Sequence, residues 1–291
     1  MTVSCSIKQS KDSSSVENKK IVLTTFTILA DMARNVAGER LIIKSITKPG
    51  AEIHGYQFTP SDLLKAQDAN LIIANGLGLE RWMDKFTSNV GNIPRVELTK
   101  GMKPLLIDGD IYSGKPNPHA WMSPKRSINY VENLLKAFIQ IDPEGEKEFT
   151  KNAENYISKL RALDSELRES LSVIPEEQRL LVTCEGAFTY LTNDYGMREA
   201  YLWPVNAESQ VTPKRVVDLI SKINNSQVPT IFCESTVSSK AQLQVAKSTG
   251  TRFGGTFYVD SLSSRNGPAP SLLELQRHNA RLIIEGLSSK P

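Results

Sequence analysis

The chain reads as an α/β protein built from two βα lobes joined by one long helix. Three observations predict this. Short apolar runs of strand length recur along the 291 residues, most of them followed by a stretch whose apolar residues fall at helical spacing. The alternation occurs twice, before and after a middle segment. That middle segment, from Pro143 to Val173, keeps apolar residues at steps of three and four without a break. Strands alternating with helices argue for parallel sheets covered by helices. We divide the chain into a polar tail (1–19), an N-terminal lobe (20–142), a linking helix (143–174) and a C-terminal lobe (175–291).

Taken in order, "KIVLTTF" (20–26) predicts the first strand, with a helix from about Thr27 to Gly38. "RLIIKSIT" (40–47) is the second strand, followed by a turn containing His54 and a helix opened by Thr59 and Pro60. Asp62, three residues after Thr59, makes an imperfect capping box. "ANLIIANG" (69–76) and "PRVELT" (94–99) are further strands. Ser123 and Pro124 start a helix that ends near Asp142, where Asp142 and Pro143 repeat the signal. The long helix then buries Phe149, Ala153, Tyr156, Leu160, Leu163, Leu167 and Leu171 on one stripe. From Pro143 to Val173 it would run about 45 Å at 1.5 Å per residue. The second lobe offers strands at 179–186, 198–203, 228–235 and 252–262, with helices at about 187–195, from Thr212–Pro213, from about Lys240 and from about Pro270.

A net charge of +3 is too small to argue for a nucleic-acid partner. No apolar run approaches the roughly 18 residues that span a bilayer. "MTVSCSIKQSKDSSSVENKK" has no hydrophobic core and is not a signal peptide as it stands; it reads as a disordered lead-in. Cys5, after Ser4, has the setting of a lipoprotein's acylated cysteine, although Thr2 is a poor match to the apolar residue expected before it. Cys184 and Cys233 each end an apolar run and precede a glutamate. Two buried free thiols are the plainer reading, and a disulfide between neighbouring strands is the alternative, which needs a geometry that sequence does not supply. There is no CxxC, GxGxxG, GxxxxGK(S/T), GxSxG or HExxH.

Four metal-capable side chains fall at or just past predicted strand ends or in a loop beyond one: His54, His119 in "GKPNPHAWM", Glu185 and Asp260. In open parallel sheets ligands bind outside the carboxyl ends of the strands, so these four share a topological address. Each also has a plain reading, as a hydrogen-bonded loop histidine or an acidic N-cap. Glu97 and Glu234 also end strands, which shows how little position alone decides. His278 sits among Arg277, Asn279 and Arg281 and reads as solvated.

"PGAEIHGYQFTP", "ANGLGLERW", "NPHAWM", "TCEGAFTYL" and "FYVDSLS", in this order, resemble the metal-binding solute-binding proteins of bacterial manganese/zinc ABC transporters, from about Lys20 to the end of the chain. The resemblance implies two Rossmann-like lobes with parallel sheets, bridged by one long rigid helix, and a metal site in the cleft between them. Position by position it implies His54, His119, Glu185 and Asp260 as the four ligands, two from each lobe, and no catalytic residues. The chain departs from the family at Gln57 and Phe58, where Glu and Pro are usual, which leaves the loop's conformation open. It further implies capture of Mn2+ or Zn2+, with Fe2+ as a further cargo, and delivery to a membrane ABC permease. The protein would be a monomeric binding receptor, periplasmic or lipid-anchored at the cell envelope. Glu185 stands where zinc-type members offer a third histidine, and the loop before His119 has no histidine; both lean towards manganese. The Irving–Williams order still puts zinc binding above manganese in vitro. A zinc-specific receptor, an adhesin with a structural metal and a metallohydrolase using Glu234 as base are the competing readings, as is a siderophore or haem binder of similar fold.

Overall fold

The computed structural model describes residues 19–108, 112–205 and 211–288. The expected tail apart from Lys19, Cys5 included, lies outside the described residues. The N-terminal lobe is a four-stranded parallel sheet of β1 (Ile21–Thr24), β2 (Ile42–Ser45), β3 (Leu71–Ala74) and β4 (Arg95–Glu97), in the order β2-β1-β3-β4. Val22 pairs with Ile43 on one side and Leu71 on the other. Every residue of β3 is buried, as a central parallel strand covered on both faces requires.

Helix α1 (Thr27–Ala37) buries Ile28, Leu29, Met32, Ala33 and Val36, one stripe at helical spacing. Helix α2 (Pro60–Ala66) starts where Asp62 accepts hydrogen bonds from the Thr59 N–H (2.9 Å) and the Thr59 hydroxyl (2.8 Å). Helix α3 (Met83–Val90) was not expected from the sequence. The glycines of "NGLGLE" carry no helical signal, and Trp82, Met83 and Phe86 give a helical period too short to stand out.

Helix α4 (Pro124–Ile141) leads into a single 3-10 turn at Pro143–Gly145, and α5 (Glu146–Ser172) follows. The long element is therefore a tight turn plus 27 α-helical residues, about 40 Å rather than 45 Å. The seven expected residues form its buried stripe. The corner is locked by Arg40, whose Nε and Nη2 donate to Asp142 at 2.8 and 2.9 Å. A Cβ on Gly145 would come within 2.5 Å of both Arg40 and Phe149, so only glycine fits there. Helix α5 packs on α1 and α4 at one end and on the last helix at the other, bridging the lobes.

The C-terminal lobe has two separate parallel ladders: β5 (Leu180–Glu185) with β6 (Arg198–Trp203), and β7 (Thr230–Glu234) with β8 (Arg252–Phe257). Helices α6 (Thr189–Asp194), α7 (Pro213–Asn224), α8 (Lys240–Thr249) and α9 (Leu272–Leu287) surround them. Strands β5 and β7 lie side by side, joined by a Cys184–Cys233 disulfide with Cα atoms 4.9 Å apart. This corrects the free-thiol reading. Cysteines 49 residues apart meet because both close their strands at the same level of one lobe, which no local pattern encodes. Among the described residues no helix is long and apolar enough to cross a membrane.

Candidate metal centre

The four sequence-predicted residues come together at the carboxyl ends of the strands. His54, His119, Glu185 and Asp260 are 1, 0, 2 and 1% exposed. His54 Nε2 lies 3.1 Å from His119 Nε2, 3.2 Å from Glu185 Oε1 and 3.7 Å from Asp260 Oδ2. His119 Nε2 lies 3.5 Å from Glu185 Oε1 and 3.7 Å from Asp260 Oδ1. A tetrahedral ion with ligands at about 2.1 Å places its donors about 3.4 Å apart, the scale of these five separations. His54, His119 and Asp260 offer donors that all lie within 4.8 Å of one another, and Glu185 joins them through the two histidines. His278 stands apart, half-buried, its ring edge-on to Tyr258 at 5.6 Å.

His119 is positioned from behind. Its Nδ1 meets Asn117 Oδ1 at 2.9 Å, and its backbone N–H donates to the same oxygen at 3.0 Å. The Asn117 amide nitrogen donates to the Gly186 carbonyl (2.7 Å) and to Thr189 Oγ1 (3.0 Å), which fixes the orientation of the amide. Nδ1 therefore carries the imidazole proton and Nε2 presents a bare lone pair to the centre. Just past β3, Asn75 donates to the Pro118 carbonyl at 3.0 Å and accepts from the Tyr130 hydroxyl at 2.6 Å, setting the height of the loop.

His54 is held through its backbone. Glu52 accepts from the His54 N–H (2.6 Å) and the Gly55 N–H (2.8 Å), and the Ile53 carbonyl accepts from Trp82 Nε1 at 2.8 Å. The departure at Phe58 becomes intelligible here. Its ring meets Phe86 at 5.3 Å and Trp82 at 6.4 Å, while Tyr56 meets Trp82 at 5.5 Å, so an aromatic cluster braces the loop. His54 Nδ1 is buried without a partner.

Glu185 closes β5, and its N–H points at the Glu234 carboxyl, at 3.3 and 3.4 Å from the two oxygens. Asp260 does not end a strand, because β8 stops at Phe257. Both Asp260 oxygens are buried without a hydrogen-bond partner; Thr236 lies beside them but does not reach bonding geometry. A desolvated carboxylate with no donor is costly unless a cation sits against it.

The charges fit a cation site. Burial pushes the His54 imidazole down, but the Glu185 and Asp260 carboxylates outweigh it and lift it to about 9. Burial takes His119 the other way, to about 3. Burial lifts the Asp260 carboxyl, opposed by His54. Glu234 is raised well above the usual range by burial and then by the Glu185 charge. Both His54 and Asp260 are thus shifted towards their protonated forms at the place where a divalent ion would sit. Sequence reasoning missed Asn117, Trp82 and Glu52 as supports. Only Asn117 left a signal, two residues ahead of His119 in "NPH".

The chain and its fold are similar to known metal-binding proteins. The chain is 50% identical over 265 residues to the iron-binding protein YfeA of Yersinia pestis, covering 91% of this chain and 85% of that one. The Mn-bound periplasmic metal binding protein from Candidatus Liberibacter asiaticus superposes with a TM-score of 0.86 at 36% identity, covering 92% of this chain and 100% of the other. The periplasmic zinc binding protein TroA of Treponema pallidum gives 0.87 at 25% identity, over 93% of this chain and 100% of that one. The model of the periplasmic zinc-uptake complex component A, ZnuA, matches residues 22–286, and the chain belongs to that family.

Proposed function

We propose that this protein captures a divalent transition-metal ion between its lobes on His54, His119, Glu185 and Asp260 and delivers it to the membrane permease of an ABC transporter. The observation that carries the reading is the convergence of these four buried side chains from distant parts of the chain, with both Asp260 oxygens left without a donor. Lobes at 20–142 and 175–291, with the linking helix at 143–174, would each supply two ligands. The ion is cargo, and no residue is assigned a catalytic role. We place the protein in the periplasm or tethered at the cell envelope, as a monomer without a nucleic-acid partner.

The donor set is two imidazoles and two carboxylates, which suits manganese or ferrous iron as well as zinc. The relatives named above are labelled for iron, manganese and zinc. Glu185, in place of a third nitrogen donor, favours manganese as cargo, while zinc is expected to bind in vitro. Metal analysis of protein purified from its host is expected to give about one ion per chain. Loading with Mn2+ to about 1,000 times Kd adds about 4 kcal/mol to stability. A chelated sample that melts as high as the loaded one would sink the reading.

A further inference from the structure

Asp260 belongs covalently to the C-terminal lobe, but among the described residues that lobe's hydrogen bonds to the chain fall on either side of it, with Thr236 beside the carboxylate. Asn279 brackets Tyr258, accepting its N–H at 3.0 Å and donating to its carbonyl at 2.7 Å. The next hold from the same lobe is the Ser263 N–H on the Ala269 carbonyl, at 2.9 Å. Between them, residues 259–262 are held from the other lobe. Trp121 Nε1 donates to the Val259 carbonyl at 2.9 Å. The Gly50 N–H donates to Ser261 Oγ at 2.7 Å, and the Leu262 N–H donates to Thr27 Oγ1 at 2.9 Å. Gly50 has φ +84° and lies in the turn that leads to His54, so the loops of two candidate ligands are latched to each other.

We propose that Thr27 and Ser261 are positioning residues through which the N-terminal lobe sets the place of Asp260, so that separation of the lobes withdraws Asp260 from the ion. This rests on the four-ligand reading above. The clamp acts on the backbone flanking Asp260, whose carboxylate has no hydrogen bond of its own to hold it. Losing the Thr27 hydroxyl leaves the buried Leu262 N–H unpaired and frees the segment that carries the ligand.

The test is the rate at which a fluorescent chelator strips Zn2+ and Mn2+ from the loaded protein. Thr27→Val is expected to speed release about tenfold, the scale of one lost buried hydrogen bond, and Ser261→Ala by a smaller factor, because its donor Gly50 is exposed. Thr27→Ser is expected to restore the slow rate. In an Asp260→Ala background, Thr27→Val is expected to add nothing, since both act on one ligand. Wild-type release from both single variants, or an acceleration that persists without Asp260, would overturn the clamp. If Asp260→Ala itself leaves metal affinity unchanged, the four-ligand reading fails instead.

Discussion

The two lobes build their halves of the site differently. The N-terminal lobe has one continuous four-stranded sheet and offers imidazoles whose immediate supports come from the same lobe: Asn117 behind His119, itself oriented by Gly186 and Thr189 of the other lobe, and Glu52 and Trp82 around the His54 loop. The C-terminal lobe has its sheet in two ladders and offers carboxylates whose places depend on contacts across a seam. Glu185 sits beside the disulfide that joins the ladders, and Asp260 is held by the opposite lobe. The imidazoles draw their nearest supports from their own lobe, and the carboxylates draw theirs from contacts between parts. Neutral nitrogen donors tolerate burial in a rigid setting. Two carboxylates at close quarters repel, and a cation between them would remove that repulsion.

The largest expected effect comes from removing a candidate ligand. Asp260→Ala and His54→Ala should each weaken Mn2+ binding by well over tenfold in calorimetry, on the scale set for outer-shell losses of about 10–100-fold. Unchanged affinity would remove that residue from the site. The seam is probed next. Cys184→Ala/Cys233→Ala opens a loop of 49 residues and should cost about 4 kcal/mol on the chain-entropy account, read as a lower denaturation midpoint. If the double variant keeps wild-type stability, the ladders do not depend on the disulfide and the contrast between lobes weakens.

Asn117→Ala frees the His119 tautomer and should weaken metal binding about 10–100-fold with little change in the metal-free melting point. A larger loss of stability than of affinity would make Asn117 a lobe-to-lobe strut first, since it also bonds Gly186 and Thr189. The smallest effect per step is that of pH. His54 has a folded pKa of about 9, above its usual 6.5. Its proton therefore stabilises the metal-free protein fully below about pH 6.5, and that contribution is lost as pH rises through 9. Metal must displace this proton, and below about 8 that of Asp260 as well, so affinity should rise by at least about tenfold per pH unit from about 6 to 8 and level near 9. The sequence alone set the loss of affinity at about pH 6.5, the unperturbed value. The carboxylates facing His54 move it upward.

The strands, the capped helix starts and the buried stripe of α5 were legible because each rests on a local pattern. The four candidate ligands were legible as strand-end or loop residues and became a set through family resemblance. What the sequence did not disclose depends on distant partners. Cys184 and Cys233 meet only through the packing of β5 on β7, and α3 hid behind the glycines of its own entry loop. Asp260 reads as a strand end because its apolar run continues past Phe257, where the ladder stops. Nothing local in "FYVDSLS" says that another lobe holds it.

The burial of all four candidate ligands, none more than 2% exposed, bears on how fast a metal arrives. A hydrated ion cannot reach donors that solvent does not touch. On the proposed four-ligand site, capture would wait on an opening of the lobes, and the arrival rate would reach a ceiling set by the protein rather than by diffusion. Selectivity then has a temporal side. An ion that sheds its water within the lifetime of an opening is admitted, and one that exchanges too slowly is turned away whatever its final affinity.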